Sequence, residues 1–263
     1  MTINGQAIAA DIYRGIKNTI THMGATPHLT VFTCTPNFQT QKFLQLKKRK
    51  ALEVGIGVNV IEFPGDIKTE EVIQSILHAQ MQTDGIIVQL PFPTQVAIDE
   101  VLRDLPKSVD VDCAYYDGST DDNILPPVVG AINEIAKKHN VIFSGAKVVV
   151  VGEGRLVGKP SAMWAKKHGA EVVVVDRDTE NPADILKQAD IIISGAGSPG
   201  LIKADMIREG VVIFDAGTTE ESGVLKGDAD PECSKTASLF TPVPGGIGPI
   251  TVAILLRNLV RIR

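Results

Sequence analysis

Short apolar runs rich in β-branched residues alternate along the chain with longer stretches whose apolar positions recur every three or four residues. The short runs fall at residues 29–33, 57–62, 85–89, 147–151, 171–175, 191–194 and 211–215. Each reads as a strand, with helical segments between them. That rhythm predicts parallel sheets with crossover helices, because a parallel neighbour is reached only through a long connection. The polar, glycine-containing stretch 117–123 predicts a break between two units, and a helix over about 128–139 opens the second. Residues 250–263 carry helical spacing at Val252, Leu255, Leu256, Leu259 and Val260, which predicts a helix packing back onto the first unit. The expectation is therefore an α/β chain of two domains, 1–122 with 250–263, and 123–249.

Composition narrows the classes open to such a fold. Hydrophobic residues make up 44% of the 263 positions and charged residues 22%, the balance of a chain that buries a core. A net charge of −5 gives no electrostatic reason to bind nucleic acid or an anionic membrane. No window reaches the roughly eighteen apolar residues of a membrane span, and residues 1–13 lack the grammar of a signal peptide. A cytoplasmic protein is expected. Cys34, Cys113 and Cys233 are odd in number and far apart, so they read as reduced thiols. The histidines at 22, 28, 78, 139 and 168 show no ligand spacing, and no metal site is expected.

Two regions carry candidate chemistry. After the run Val148-Val149-Val150-Val151 comes Gly152-Glu153-Gly154-Arg155-Leu156-Val157-Gly158-Lys159-Pro160, followed by a helix through Ala162 to His168. Glycines there allow a tight turn and close approach of backbone to a pyrophosphate, which a helix N-terminus stabilises. The spacing is one residue longer than the commonest Rossmann fingerprint. Strand, glycine turn, helix and a second strand ending at Asp176 nevertheless come in the right order for a dinucleotide site. Asp176 lies at about the interval where an acidic residue accepts the ribose hydroxyls. Glu153 and Asp176 would repel a 2′-phosphate, whereas Arg155 and Arg177 are cations able to accept one. The balance leans to NAD over NADP.

The second region is the basic run Lys47-Lys48-Arg49-Lys50. On a helix turning about 100° per residue, Gln45, Arg49 and Glu53 share a polar face. Lys47 lies opposite, among Thr40, Phe43, Leu44, Ala51 and Val54. It is expected to point inward, although a lysine in a basic run is more often solvated.

Two longer signatures, Asp84-Gly85-Ile86-Ile87-Val88-Gln89-Leu90-Pro91-Phe92-Pro93 and Thr241-Pro242-Val243-Pro244-Gly245-Gly246-Ile247-Gly248-Pro249-Ile250-Thr251-Val252-Ala253, resemble the bifunctional methylenetetrahydrofolate dehydrogenase/cyclohydrolase family. Ile3-Asn4-Gly5, Val109-Asp110-Val111-Asp112 and Val157-Gly158-Lys159-Pro160 extend the resemblance to residues 3–253. It implies an N-terminal folate-binding domain, a C-terminal Rossmann domain, a substrate cleft between them and a homodimer. It also implies two reactions: hydride transfer from 5,10-methylenetetrahydrofolate to NAD or NADP, then hydrolysis of the methenyl product to 10-formyltetrahydrofolate.

Residue by residue, Lys47 matches the catalytic lysine, Gln89 the glutamine that positions it, and Asp112 the aspartate that accepts hydrogen bonds from the pterin. Phe43, Leu90, Pro91, Pro244, Gly245 and Gly246 would line the folate. Gly152, Glu153, Gly154, Arg155, Val157, Gly158, Asp176, Arg177, Gly248 and Thr251 would line the dinucleotide.

The chain departs from the family's pattern at several of these places. Phe43 stands where tyrosine is usual, Glu153-Gly154 where Arg-Ser is usual, and Cys113 where glycine follows the aspartate. Leu125-Pro126-Pro127 replaces the usual Pro-Cys-Thr. Phe43 and Glu153 motivate a second reading, a binding protein that has lost one or both activities. A third, a shikimate dehydrogenase-like enzyme sharing only the Rossmann half, is opposed by the two long signatures.

Overall fold

The computed structural model describes residues 1–118, 122–221 and 223–263, without the side chains of residues 38 and 39. In chain order the elements are α1 (Gly5–Met23), β1 (His28–Cys34), α2 (Phe38–Glu53), β2 (Gly57–Phe63), α3 (Thr69–Ala79), β3 (Gly85–Val88) and α4 (Ile98–Asp104). There follow α5 (Pro127–Lys138), β4 (Lys147–Val151), α6 (Gly158–Lys167), β5 (Glu171–Val175), α7 (Pro182–Leu186), β6 (Ile191–Ser194) and β7 (Val212–Asp215). Short strands β8 (Thr219–Glu221), β9 (Val224–Lys226) and β10 (Leu239–Phe240) precede α8 (Ile247–Ile262).

The contacts divide into two units. One comprises Asp11–Tyr116, Thr120–Pro126 and Val252–Arg263. Its sheet is three-stranded and parallel in the order β2-β1-β3. Phe32 of β1 stacks on Phe63 of β2 with ring centroids 5.5 Å apart, and Val72, Ile76, Val101 and Leu102 from α3 and α4 close the core over them. The carboxy-terminal helix packs directly on β3, as its apolar spacing predicts. A Cβ added at Gly85 would fall 2.4 Å from Leu259 and 2.6 Å from Val111. Asn258, fully buried on α8, donates to the carbonyls of Val111 (2.9 Å) and Leu125 (2.8 Å) and so anchors two loops at once.

The other unit comprises Met1–Ala10, Asp117–Ser119 and Pro127–Thr251. Its five strands are parallel in the order β10-β7-β6-β4-β5, and β8 and β9 form a separate antiparallel pair. The valines and isoleucines of β4 and β6, with Ile213 of β7, are buried on both faces, as central parallel strands require. Trp164 of α6 packs edge-on to Phe143, ring centroids 4.7 Å apart.

The expectation assigned residues 1–122 to the first unit, whereas Met1–Ala10 cluster with the second. Thr2 bridges Phe240, and the amides of Ile3 and Gly5 donate to the carbonyls of Phe240 (2.9 Å) and Gly245 (2.8 Å). The hydrogen bonds come from backbone, so side-chain pattern carried no sign of them. The anticipated break at 117–123 falls partly on 119–121, outside the described residues. Strands β8 to β10 were also not anticipated, being two or three residues long.

Candidate active site

In each parallel sheet the strand order reverses at one point, and ligands of open α/β sheets bind at the carboxyl ends of the strands there. In the three-stranded sheet that point lies between β1 and β3; in the five-stranded sheet it lies between β4 and β6.

At the first switch point α2 begins with Asn37, whose side chain accepts the Thr40 amide at 2.9 Å and caps the helix. The helix buries Ala51, Val54 and, on the same face, Lys47, which is only 6% exposed. Its Nζ donates to Gln89 Oε1 at 2.9 Å. Gln89 follows β3, its amide extends the ladder to Phe32 O at 2.8 Å, and its Nε2 donates to Leu90 O at 3.0 Å. The second bond fixes the carboxamide so that its oxygen faces the lysine. The Leu90–Pro91 peptide is cis. Phe43, one turn back on α2, lies under the ammonium with its ring centroid 4.8 Å from Nζ. It lies on the Lys47 side of the helix, as the helical spacing placed it, but at the rim, with 37% of the residue exposed.

Segment 109–112 runs beside β3, where the Ile86 amide donates to Val109 O at 2.6 Å and Ile86 bridges Asp110. Asp110 is buried and accepts the amides of Asp112 (3.2 Å) and Ala114 (2.8 Å). These bonds bend the chain so that half-buried Asp112 acts electrostatically on Lys47. Burial pushes the Lys47 ammonium below the ordinary lysine range, and the charge of Asp112 partly opposes it. Burial likewise raises the Asp112 carboxyl, and Lys47 pulls it back. Asp110 is pushed up to about 7, chiefly by burial and then by its like-charged neighbour Asp112. Cys113 completes the turn at φ +48, a left-handed conformation that glycine adopts without strain. That is the physical reason glycine suits the position.

At the second switch point β4 runs into Gly152, with φ +96, and the chain folds over itself before α6 begins at Gly158. A Cβ at Gly158 would stand 1.9 Å from the Gly152 carbonyl oxygen, and one at Gly152 3.1 Å from Ala196 Cα, so both positions demand glycine. A Cβ at Gly154 would meet the Gly195 carbonyl oxygen at 3.8 Å, an ordinary contact, so glycine is not required there. Val157 lays its side chain on Gly195, 2.4 Å from where a Cβ would be, and so joins the turn after β4 to the turn after β6. This compact backbone cradle at the head of a ten-residue helix fits a pyrophosphate group.

Glu153, Asp176 and Arg177 are exposed and Arg155 half-buried. The Asp176 carboxylate accepts Thr179 Oγ1 at 2.7 Å and the Asp178 amide at 3.0 Å, and the Thr179 bond foremost holds it below the usual carboxylate range. It is anionic at neutral pH.

The 241–249 segment lies between β10 and the first turn of α8. Val243–Pro244 is cis, Gly245 has φ +105, and Gly246 donates to Pro242 O at 2.7 Å. Gly246 also lies against Gly5, where a Cβ would come to 1.8 Å from its carbonyl oxygen. Pro244 is exposed, as is Gly248 within α8. The Thr251 hydroxyl is bonded back to Ile247 O at 3.1 Å.

Sequence reasoning missed two buried carboxylates behind the second cradle, Asp215 and Asp228. The only signal for them was an aspartate within two residues of a glycine in each of two turns, Asp215-Ala216-Gly217 and Gly227-Asp228.

Comparison with known proteins agrees with this layout. Residues 3–112 match the model of the tetrahydrofolate dehydrogenase/cyclohydrolase catalytic domain and residues 126–263 that of its NAD(P)-binding domain. The bifunctional protein FolD of Lactobacillus acidophilus is 35% identical over 91% of this chain and 87% of its own length. Among solved structures, the bifunctional FolD enzyme of Campylobacter jejuni superposes with a TM-score of 0.94 at 31% identity, covering 100% of this chain and 98% of the other. The FolD enzyme of Trypanosoma brucei, solved with NADP and an inhibitor, gives 0.92 at 29% identity over 100% and 96%. With both domain models matched in order across almost its whole length, the chain belongs to the tetrahydrofolate dehydrogenase/cyclohydrolase family.

Proposed function

We propose that this chain, a methylenetetrahydrofolate dehydrogenase and methenyltetrahydrofolate cyclohydrolase, carries its hydrolytic proton transfers on Lys47 and favours NAD over NADP in the oxidation. The observation that carries the first part is a buried lysine bonded to Gln89 Oε1 at 2.9 Å. A desolvated amine sheds its proton more readily than a solvated one, which brings it toward the range where it can serve both as base and as acid.

In the hydrolytic step neutral Lys47 takes a proton from the water whose oxygen bonds to the methenyl carbon. The resulting ammonium returns that proton to N5 as the carbon–N5 bond breaks, while the carbinol hydroxyl gives up its remaining proton to solvent and closes to C=O, leaving the formyl group on N10. Gln89 keeps the amine aimed, since its carboxamide oxygen accepts from Nζ and its NH2 is tied to Leu90 O. Asp112, by its match to the family's aspartate, accepts hydrogen bonds from the pterin amino group and ring N–H. Phe43 supplies a ring face but no hydroxyl, so the relay passes through Lys47 without a phenol.

In the oxidative step the bound dinucleotide supplies the hydride acceptor. The chain's own residues hold it, with Gly152, Gly154 and Gly158 at the pyrophosphate and Asp176 at the ribose hydroxyls. Glu153 and Asp176 are exposed anions, and their charge opposes a 2′-phosphate. We further propose a cytoplasmic homodimer. Cys34, Cys113 and Cys233 form no disulfide with one another, which supports the compartment, and the family resemblance supports the dimer. Among the described residues no helix is long and apolar enough to cross a membrane.

The test supplies purified protein with 5,10-methylenetetrahydrofolate and either NAD or NADP, following reduced nicotinamide and methenyl-folate together, then repeats with Lys47→Ala. Faster turnover with NAD, and methenyl-folate accumulating only in the variant, are expected. Hydride transfer with neither cofactor would mark the chain as one that has lost its dehydrogenase activity.

A further inference from the structure

Asp228 is completely buried in the turn after β9, far in sequence from the glycine motif. Its carboxylate accepts three hydrogen bonds from one short stretch. Ser194 Oγ (2.6 Å) and the Ala196 amide (2.7 Å) donate to Oδ2, and the Ser198 amide (2.7 Å) donates to Oδ1. That stretch is the turn by which the chain leaves β6, on the far side of the switch point from Gly152. The turn is gripped on its other face by the glycine loop, with Val157 lying on Gly195 and Gly152 against Ala196.

Asp228 is itself held in place. Asp215, 1% exposed at the end of β7, accepts the amides of Asp228 (3.2 Å), Ala229 (2.8 Å) and Gly217 (2.9 Å). The two carboxylates crowd the turns around them. A Cβ at Gly217 would fall 2.1 Å from Asp228 Cγ, and one at Gly227 2.2 Å from an Asp215 oxygen.

The three donors to Asp228 are all neutral, so among the described residues this buried carboxylate is satisfied by short hydrogen bonds and not by a cation. Their effect on the turn is directional. A trans peptide sets its N–H and C=O on opposite sides, so an Ala196 amide drawn to Asp228 turns the Gly195 carbonyl the other way. The Gly195 oxygen accordingly faces the glycine loop, 3.1 Å from where a Cβ on Gly152 would be and 3.8 Å from one on Gly154.

We propose that Asp228 is the positioning residue of the dinucleotide crevice. It locks the 195–198 turn so that the Gly195 carbonyl is presented as an acceptor for a hydroxyl or amide N–H of the bound dinucleotide. The proposal rests on the 152–158 turn being the dinucleotide site.

Asp228→Asn in the full-length chain tests it. The variant keeps the volume, but its NH2 must meet the amide of either Ala196 or Ser198. The dissociation constants of NAD and NADP, read by equilibrium dialysis, are expected to rise about tenfold to a hundredfold, the effect of one lost charge-assisted hydrogen bond. KM for the dinucleotide should rise in step, with kcat at saturation and methenyl hydrolysis without dinucleotide changed less than about twofold. Amide exchange at Ala196 and Ser198 should quicken. Unchanged affinity in a folded variant overturns the proposal, as does an equal loss of both activities, which would assign Asp228 to the fold alone. If circular dichroism finds Asp228→Asn unfolded, Ser194→Ala decides: weakened dinucleotide binding supports the proposal and unchanged binding overturns it. A wild-type chain that binds neither dinucleotide removes both this proposal and the site reading beneath it.

Discussion

The two switch points of this chain are built from opposite materials. At the three-stranded sheet the site is made of side chains that carry protons. Lys47, Asp110 and Asp112 are buried or half-buried, and burial displaces all three from their ordinary pKa ranges. At the five-stranded sheet the cradle is made of backbone. Gly152, Gly158 and Gly195 pack where no Cβ fits, and the buried carboxylates Asp215 and Asp228 stand behind them. The contrast teaches what each task needs. Moving a proton at neutral pH needs groups whose charge is already costly, so that small changes tip them. Holding a large anionic ligand needs close approach and a rigid frame, which glycine and charge-assisted hydrogen bonds supply.

The comparison breaks most directly at Lys47. Replacing it with methionine, similar in volume and uncharged, should lower methenyl hydrolysis by about 10²- to 10⁴-fold, the usual contribution of a positioned acid or base. Dinucleotide affinity should be unchanged. The decay of methenyl absorbance checks the first expectation and equilibrium dialysis the second. Equal weakening of both would mean that the two sites do not divide the labour.

Charge at the second site is the next lever. Asp176→Ser removes an exposed anion and should improve kcat/KM for NADP relative to NAD by about tenfold, the worth of one close charge contact. Hydrolysis should be indifferent to it. An unchanged cofactor ratio would show that Asp176 does not face the ribose.

A pH profile sharpens the first site. The Lys47 ammonium is lowered by burial, and the negative charge of Asp112 opposes that shift. Asp112→Asn removes the opposition, so the Lys47 pKa falls further and a larger fraction is neutral at a given pH. The acid limb of the hydrolysis profile, taken at saturating methenyl substrate, should then move to lower pH. A shift to higher pH would mean that the limb reports another group.

The smallest effect concerns the turn that presents Asp112. Cys113 is left-handed at φ +48, so Cys113→Gly should relieve about 1 kcal/mol of backbone strain, offset in part by glycine's greater freedom when unfolded. Thermal unfolding should shift upward by a few degrees. A lower midpoint would mean that the packing of the thiol outweighs the strain.

Much of this was legible in the sequence because it rests on periodic signals. The apolar runs announced the long strands, and the spacing from Val252 to Val260 announced a terminal helix that lies against β3. The helical wheel turned Lys47 inward, where it is only 6% exposed. The same wheel put Phe43 on the Lys47 side, where its ring lies 4.8 Å from Nζ, but it could not tell that 37% of the residue stays exposed, since a ring at the rim of a helix's apolar face is covered only if a neighbour reaches it. The amino-terminal ten residues cluster by contact with the five-stranded unit, because backbone amides dock them onto β10 and Gly245, and every residue type offers an amide.

What the sequence determined alone is the inventory: which stretches bury themselves, which helix face turns a lysine inward, and which glycines permit a tight turn. Those follow from interactions along a few consecutive residues, where side-chain period and backbone freedom are enough. Only the tertiary structure decided which distant groups meet. It placed Gln89 Oε1 at 2.9 Å from a lysine 42 positions earlier, and Asp228 under an amide 32 positions before it. Contacts of that kind depend on strand order and register, and the hydrogen-bonding groups that make them leave no period in the chain.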